Sequence, residues 1–191
     1  MHYSRAKTLG IVGAILLLLL PFATIPQFGG TIILHALAVI LVALWYLAYG
    51  AGVRKIFTHY RTFFILMAVV TVASLIRTQY WDDLNLPQLP QQALSGIDVL
   101  LIILPVIAAF FLMQSYRRVA EAIHVRLFSI VGIANFALVT LVALSGIYLM
   151  VNPQPQQAFR IIIGSVWVLV VVVIPILTLI SFAFLPTRTK R

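Results

Sequence analysis

Three polar side chains stand within or at the edge of long apolar stretches of this 191-residue chain: His35, Asp98 and Asn135. An imidazole can ligate iron or another metal, a carboxylate can hold a cation or a proton, and a carboxamide both donates and accepts hydrogen bonds. Each also has a structural use. His35 reads as buried, about one turn into its apolar segment, where it can bond a neighbouring helix or interfacial water. A bis-histidine haem would need a second histidine at matching depth, but His2, His59 and His124 all fall at the opposite ends of their segments. Asp98 follows Leu94-Ser95-Gly96-Ile97, where Ser95 or Asp98 can cap a helix start and meet the positive end of its dipole. Asp82 and Asp83 extend this acidic group, yet a hard cation needs several oxygens in defined geometry, and a solvated loop is the simpler reading. Asn135, with Thr140 and Ser145, forms a polar thread that serves either interhelical packing or the lining of a cavity. Glu121, among Arg117, Arg118 and Arg126, reads as an ion-pair partner three or four residues away on one helix.

No other chemistry is written into the sequence. There is no cysteine, which removes disulfides, thiolate metal sites and cysteine nucleophiles. No phosphate-binding glycine loop, His-Glu-x-x-His helix or Gly-x-Ser-x-Gly elbow occurs. No Asp, Glu, Lys or Arg falls in the middle of an apolar stretch, which argues against an acidic proton or sodium relay and against a voltage sensor. The expectation is a chain that is not an enzyme, with no catalytic residue, cofactor or metal. An enzyme acting on a lipid or quinone would need His35, Asp98 and Tyr148 gathered in one pocket.

The elements that must position these residues follow from composition. Hydrophobic residues make up 63% of the chain and charged residues only 9%, against about 25% charge in an ordinary soluble domain. Apolar faces this extensive need lipid and one another for cover. The pattern predicts an all-α polytopic bundle, one transmembrane domain of six helices, with spans at 8–25, 31–49, 62–76, 99–116, 127–151 and 161–185. The first span reads as a retained helix rather than a signal peptide, because Pro21-Phe22-Ala23-Thr24-Ile25-Pro26 offers no small-x-small cleavage site. The third is short, bracketed by Arg61 and Arg77, and either crosses with both arginines snorkelling or enters and returns. A tight turn is expected at 26–30, a second break at 152–157, and kinks at Pro21, Pro105 and Pro175.

Charge gives the orientation. Arg5, Lys7, Arg54, Lys55, Arg61, Arg117, Arg118, Arg126, Arg188, Lys190 and Arg191 fall on one side of such a bundle, and only Arg77 and Arg160 on the other. Basic residues gather on the cytoplasmic side, so both termini are expected there, in the cell membrane. The net charge of +9 is thus a topology and lipid-headgroup signal rather than a nucleic-acid one. Trp45, Tyr46 and Tyr49 fit the inner interface, and Tyr80, Trp81 and Tyr148 the outer one.

Two basic loops echo each other. Gly52-Val53-Arg54-Lys55-Ile56-Phe57 and Ile123-His124-Val125-Arg126-Leu127-Phe128 align on their phenylalanines at a shift of 71 residues, pairing Trp45 with Tyr116 and Lys55 with Arg126. This is either a parallel repeat of a two-helix unit or convergence of two interfacial loops. Small residues at spacing four (Ala6, Gly10 and Ala14, then Ala48 and Gly52) offer a stripe for close helix contact, within the chain or between copies. With these loops, the segment Lys7-Thr8-Leu9-Gly10-Ile11-Val12-Gly13-Ala14 resembles an uncharacterised family of small, mostly archaeal multi-pass membrane proteins. The resemblance implies the fold and no activity. Two functions remain open: an accessory or scaffold component among membrane-protein partners, or a small transporter or channel for an apolar or weakly polar solute.

Overall fold

Proline at the first helical position costs no hydrogen bond, since that N–H would be unpaired anyway, and Pro26 opens a helix here. The turn expected at 26–30 is therefore already helical, and the break from the first helix comes before it. The computed structural model describes residues 2–22, 26–80, 91–151 and 157–185, with the helix ends 26–31, 75–80, 91–98, 149–151 and 157–160 described as backbone alone. The helices are α1 (His2–Leu18), α2 (Pro26–Ala51), α3 (Arg54–Tyr80), α4 (Gln91–Ile123), α5 (Arg126–Val151), α6 (Gln157–Val168) and α7 (Ile174–Ala183). No strand occurs among the described residues.

Five stretches are long and apolar enough to cross a bilayer: Ile32–Ala51, Arg54–Ser74, Val99–Ile123, Arg126–Tyr148 and Gly164–Ala183. Only 28–39% of each is buried within the chain, which leaves the rest wholly or partly uncovered, as in lipid-covered helices. α1 has 17 residues, about 25 Å of helix against a hydrocarbon core of about 30 Å. It ends because Pro21 has no N–H for the Leu17 carbonyl, and a 3-10 turn, Leu20–Phe22, follows. The third segment is not short. α3 begins at Arg54 and runs 27 residues, placing Arg61 two turns inside a helix rather than in a loop. α4 likewise starts at Gln91 and ends at Ile123, so Ser95 and Asp98 lie inside the helix and neither is its N-cap.

Two-residue turns join α2 to α3 and α4 to α5. Gly52 adopts a left-handed φ of 68°, and its N–H bonds the Tyr49 carbonyl while the Val53 N–H reaches Ala48. This paired closure uses glycine where other residues would be strained. His124 takes the same role with φ 58°. In both turns the same bond starts the next helix, Ile56 N–H to Val53 and Phe128 N–H to Val125. On these equivalences the two hairpins come into register at a shift of 72, not 71, pairing Arg54 with Arg126 and Leu44 with Tyr116.

Burial follows the same shift. Ala36, Leu37, Ile40, Ala43, Leu44 and Leu47 form the inward face of α2. Their counterparts on α4, Ala108, Ala109, Leu112, Ser115, Tyr116 and Val119, are buried too. On the partner helices, Ile56, Tyr60 and Phe63 correspond to Phe128, Gly132 and Asn135, all buried. The second hairpin thus has glycine and a carboxamide where the first has two large aromatic rings.

From α1 to α5 each helix packs on its chain neighbour, α6 and α7 both pack on α5, and α7 returns to pack on α1, which closes a ring. The start of α1 meets the ends of α2 and α7, since Arg5 lies over the Tyr46 ring and Gly10 faces Phe182. Both two-residue turns lie at this same end, so Arg5, Lys7, Arg54, Lys55, Arg117, Arg118 and Arg126 gather there. Ala6, Gly10 and Ala14 are buried against α2 and α7. This part of the small-residue stripe is used inside the chain, as is Ala48, whereas Gly52 is exposed at the turn.

Candidate functional site

The core is denser at the basic end. Phe128 stands edge-on to Tyr116 at 5.5 Å and to Phe182 at 5.1 Å, an arrangement aromatic quadrupoles favour. Tyr60 packs at 5.2 Å from Phe63. The Ser115 hydroxyl donates to the Ile56 carbonyl at 3.0 Å, tying α4 to α3, and the Tyr60 hydroxyl reaches the Leu37 carbonyl of α2 at 3.4 Å. Together these side chains form a floor across the ring.

Above the floor lies a cavity of about 850 Å³, within the size range of small-molecule sites. On α3 it runs from Tyr60 to Ser74, about 20 Å along the helix axis. Its walls are chiefly aliphatic, with Leu37, Met67, Ile102, Val139 and Val171 among them. No Asp, Glu, Lys, Arg or His lines it among the described residues.

Polar groups are unevenly placed along it. Tyr60, Tyr116, Asn135 and Thr178 sit toward the floor; Thr71, Ser74 and Ser145 line the far part. Most hydroxyls are already occupied within their own helices: Thr71 donates to Met67, Ser145 to Leu141 and Thr178 to Ile174, each at 2.8 Å. The Tyr116 hydroxyl interacts with the Thr178 side chain. Asn135 differs. It is 8% exposed, and its carboxamide makes no hydrogen bond among the described residues. An unsatisfied buried amide costs about 1–3 kcal/mol, so it is an uncommon thing to keep in a helix ring.

The last helix adds a second irregularity beside it. Between α6 and α7, Leu169–Val173 forms a π turn, and the Ile174 N–H bonds the Leu169 carbonyl. In an α-helix that N–H would serve Val170. The donor for Val171 would be residue 175, which is proline and has none. Val170 and Val171 thus lose their α-helical donors, and both line the cavity. Such π turns cluster at functional positions. The expected kink at Pro175 is resolved as this widened turn, whereas Pro105 sits within an unbroken α4.

Of the three residues singled out by sequence, the cavity takes one. Asn135 lines it; His35, expected to be buried, is exposed on α2 and does not. Tyr148 is likewise exposed, 45%, and outside the cavity. The Asp98 side chain, Asp82 and Asp83 lie outside the described residues. Ser145 shares the cavity with Asn135, but Thr140 does not and bonds Phe136 instead. Glu121 pairs with Arg118 at 3.1 Å as an exposed i,i+3 pair. Tyr60, Tyr116, Thr178 and the π turn were not anticipated. Tyr116 precedes two arginines and reads as interfacial, while Tyr60 and Thr178 stand out only once their helices are in register.

No protein-family model matches the chain, and no curated protein or solved structure matches it either.

Proposed function

We propose that this multi-pass membrane protein takes an apolar or weakly polar solute into its helix ring and passes it through the bilayer, as a small transporter or channel. The supporting observation is a cavity of about 850 Å³ above an aromatic floor, lined among the described residues by no charged side chain and by one carboxamide, Asn135, that has no hydrogen-bond partner among them. A helix ring that served only as a scaffold would gain from filling that space, since voids cost dispersion contacts. In this reading the basic end faces the cytoplasm, α1 completes six crossings, and the floor is the cytoplasmic barrier.

Counterflow in proteoliposomes tests the proposal, with radiolabelled solutes graded in polarity from benzyl alcohol to benzamide. We expect protein-dependent, saturable exchange above the lipid background. Ala109→Trp should abolish it, because Ala109 lines the cavity, is 2% exposed, and has no space behind it for an indole. Exchange equal to that of protein-free vesicles for every solute would reject transport and return the accessory role to the front.

A further inference from the structure

The cavity has a direction as well as a volume. Among the described residues its one carboxamide lies near the floor, and most of the lining of the shaft beyond it is aliphatic, with Thr71, Ser74 and Ser145 interspersed. On α5, Asn135 lies ten residues from Ser145, about 15 Å along the axis. The Ser145 hydroxyl is occupied by its own helix. Near the floor the Asn135 carboxamide offers an N–H₂ donor and a carbonyl acceptor without partners among the described residues. The π turn packs against α5, and its Val170 and Val171 also line the cavity.

The sign of the charge is fixed as well. Among the described residues no ionisable acid or base other than tyrosine lines the cavity, and an unpaired ion in such surroundings would lose its hydration with nothing in exchange. A head that only accepts could use the Asn135 N–H₂ but not its carbonyl, whereas a hydroxyl can use either. From this we infer the ligand class: a lipophile with a single uncharged hydroxyl head, bound head-first toward the basic end with its hydrocarbon body in the shaft. The inference rests on the interior-solute reading above and names the chemistry of that solute.

Photoaffinity labelling of the full chain in phosphatidylcholine nanodiscs tests it. The probe is tritiated dodecan-1-ol with a mid-chain diazirine, and the competitors are dodecan-1-ol, dodecane and, at pH 8, dodecanoate. We expect saturable labelling of peptides from α5 and the π turn. One net hydrogen bond should let the alcohol displace the probe at a concentration about ten-fold below that needed for dodecane, with dodecanoate no better than the alkane. Asn135→Leu should remove the alcohol's advantage over the alkane, and an unfolding midpoint in detergent no lower than that of the natural chain reports that the variant is folded. Equal competition by alcohol and alkane in the natural chain would overturn the head assignment and leave an interior lipophile site standing. Preference for dodecanoate would overturn it in favour of an anion. Absence of any saturable labelling at the cavity would remove both this inference and the function on which it rests.

Discussion

Gly10 meets the ring of Phe182 with no space between them: a methyl group added at Gly10 would fall within the aromatic side chain. Phe182 is itself fully buried and locked edge-on against Phe128, so it has nowhere to turn. Overpacking of this kind costs about 1–3 kcal/mol. Gly10→Ala should therefore lower the thermal unfolding midpoint in mild detergent, and Gly10→Ala combined with Phe182→Leu should recover part of the loss. An unaltered midpoint for the single variant would contradict the α1–α7 contact that closes the ring. Asn135 carries the opposite expectation. Its amide is buried without a partner, so Asn135→Leu should leave stability unchanged or raise it by about 1 kcal/mol, even as ligand preference is lost. A large fall would mean that the amide holds helices together. The sequence made Asn135 conspicuous, because a carboxamide in an apolar run is rare, but left open whether it packs or lines a space. That choice depends on the residue one hairpin earlier. Phe63 fills the corresponding position on α3, and only the shared register of the two turns reveals the exchange. His35 was equally conspicuous and is exposed, since a lone polar residue in an apolar stretch does not say which face of the helix it occupies.

At the scale of the elements, the apolar cores of the spans were legible and their ends were not. Hydropathy measures where lipid cover is needed, whereas a helix continues for as long as its backbone bonds are met. α4 has 33 residues, about 50 Å of helix against a hydrocarbon core of about 30 Å, so polar turns at both ends were assigned to loops. The repeat was legible as a basic residue before a phenylalanine, but sequence alignment rewards the identical phenylalanines and misses the turn by one residue. Matching the left-handed positions, Gly52 and His124, gives the shift that burial confirms. The π turn was not legible at all beyond the presence of Pro175. An interior proline costs about 3 kcal/mol in an ordinary helix, and here the widened turn absorbs the ring. Pro175→Ala should restore a donor there. We expect a rise in stability, slower amide exchange at Ile174 and Ile176, and a several-fold fall in solute counterflow. Counterflow that persists at full rate in a stabilised Pro175→Ala protein would show that the irregular turn is not used.

The whole molecule is governed by an asymmetry between its two ends. At one end stand the tight turns, the aromatic floor and most of the described basic residues; the cavity lies toward the other. If Lys and Arg orient the ring, the floor is the cytoplasmic barrier and the solute meets the shaft from the outer leaflet or the external phase. If they do not, the same cavity serves the cytoplasmic leaflet and the direction of any transport reverses. The absence of cysteine makes the distinction clean, because an introduced thiol is unique. Glu121→Cys places it at the basic end, where the side chain is exposed, and Gln154→Cys places it in the segment between α5 and α6. Neither substitution adds or removes a Lys or Arg, so neither disturbs the signal being tested. With intact cells and a membrane-impermeant maleimide, Gln154→Cys should label directly and Glu121→Cys only after permeabilisation. The reverse pattern would invert the orientation and with it the side from which the solute enters. Labelling of both positions from outside would mean that the chain inserts in two orientations, and the directional argument would then fail while the helix ring and its cavity stand. The expected result also limits the ligand: a head bound near the cytoplasmic floor must first travel the apolar shaft, which a neutral hydroxyl can do and a charged group cannot without a large desolvation penalty.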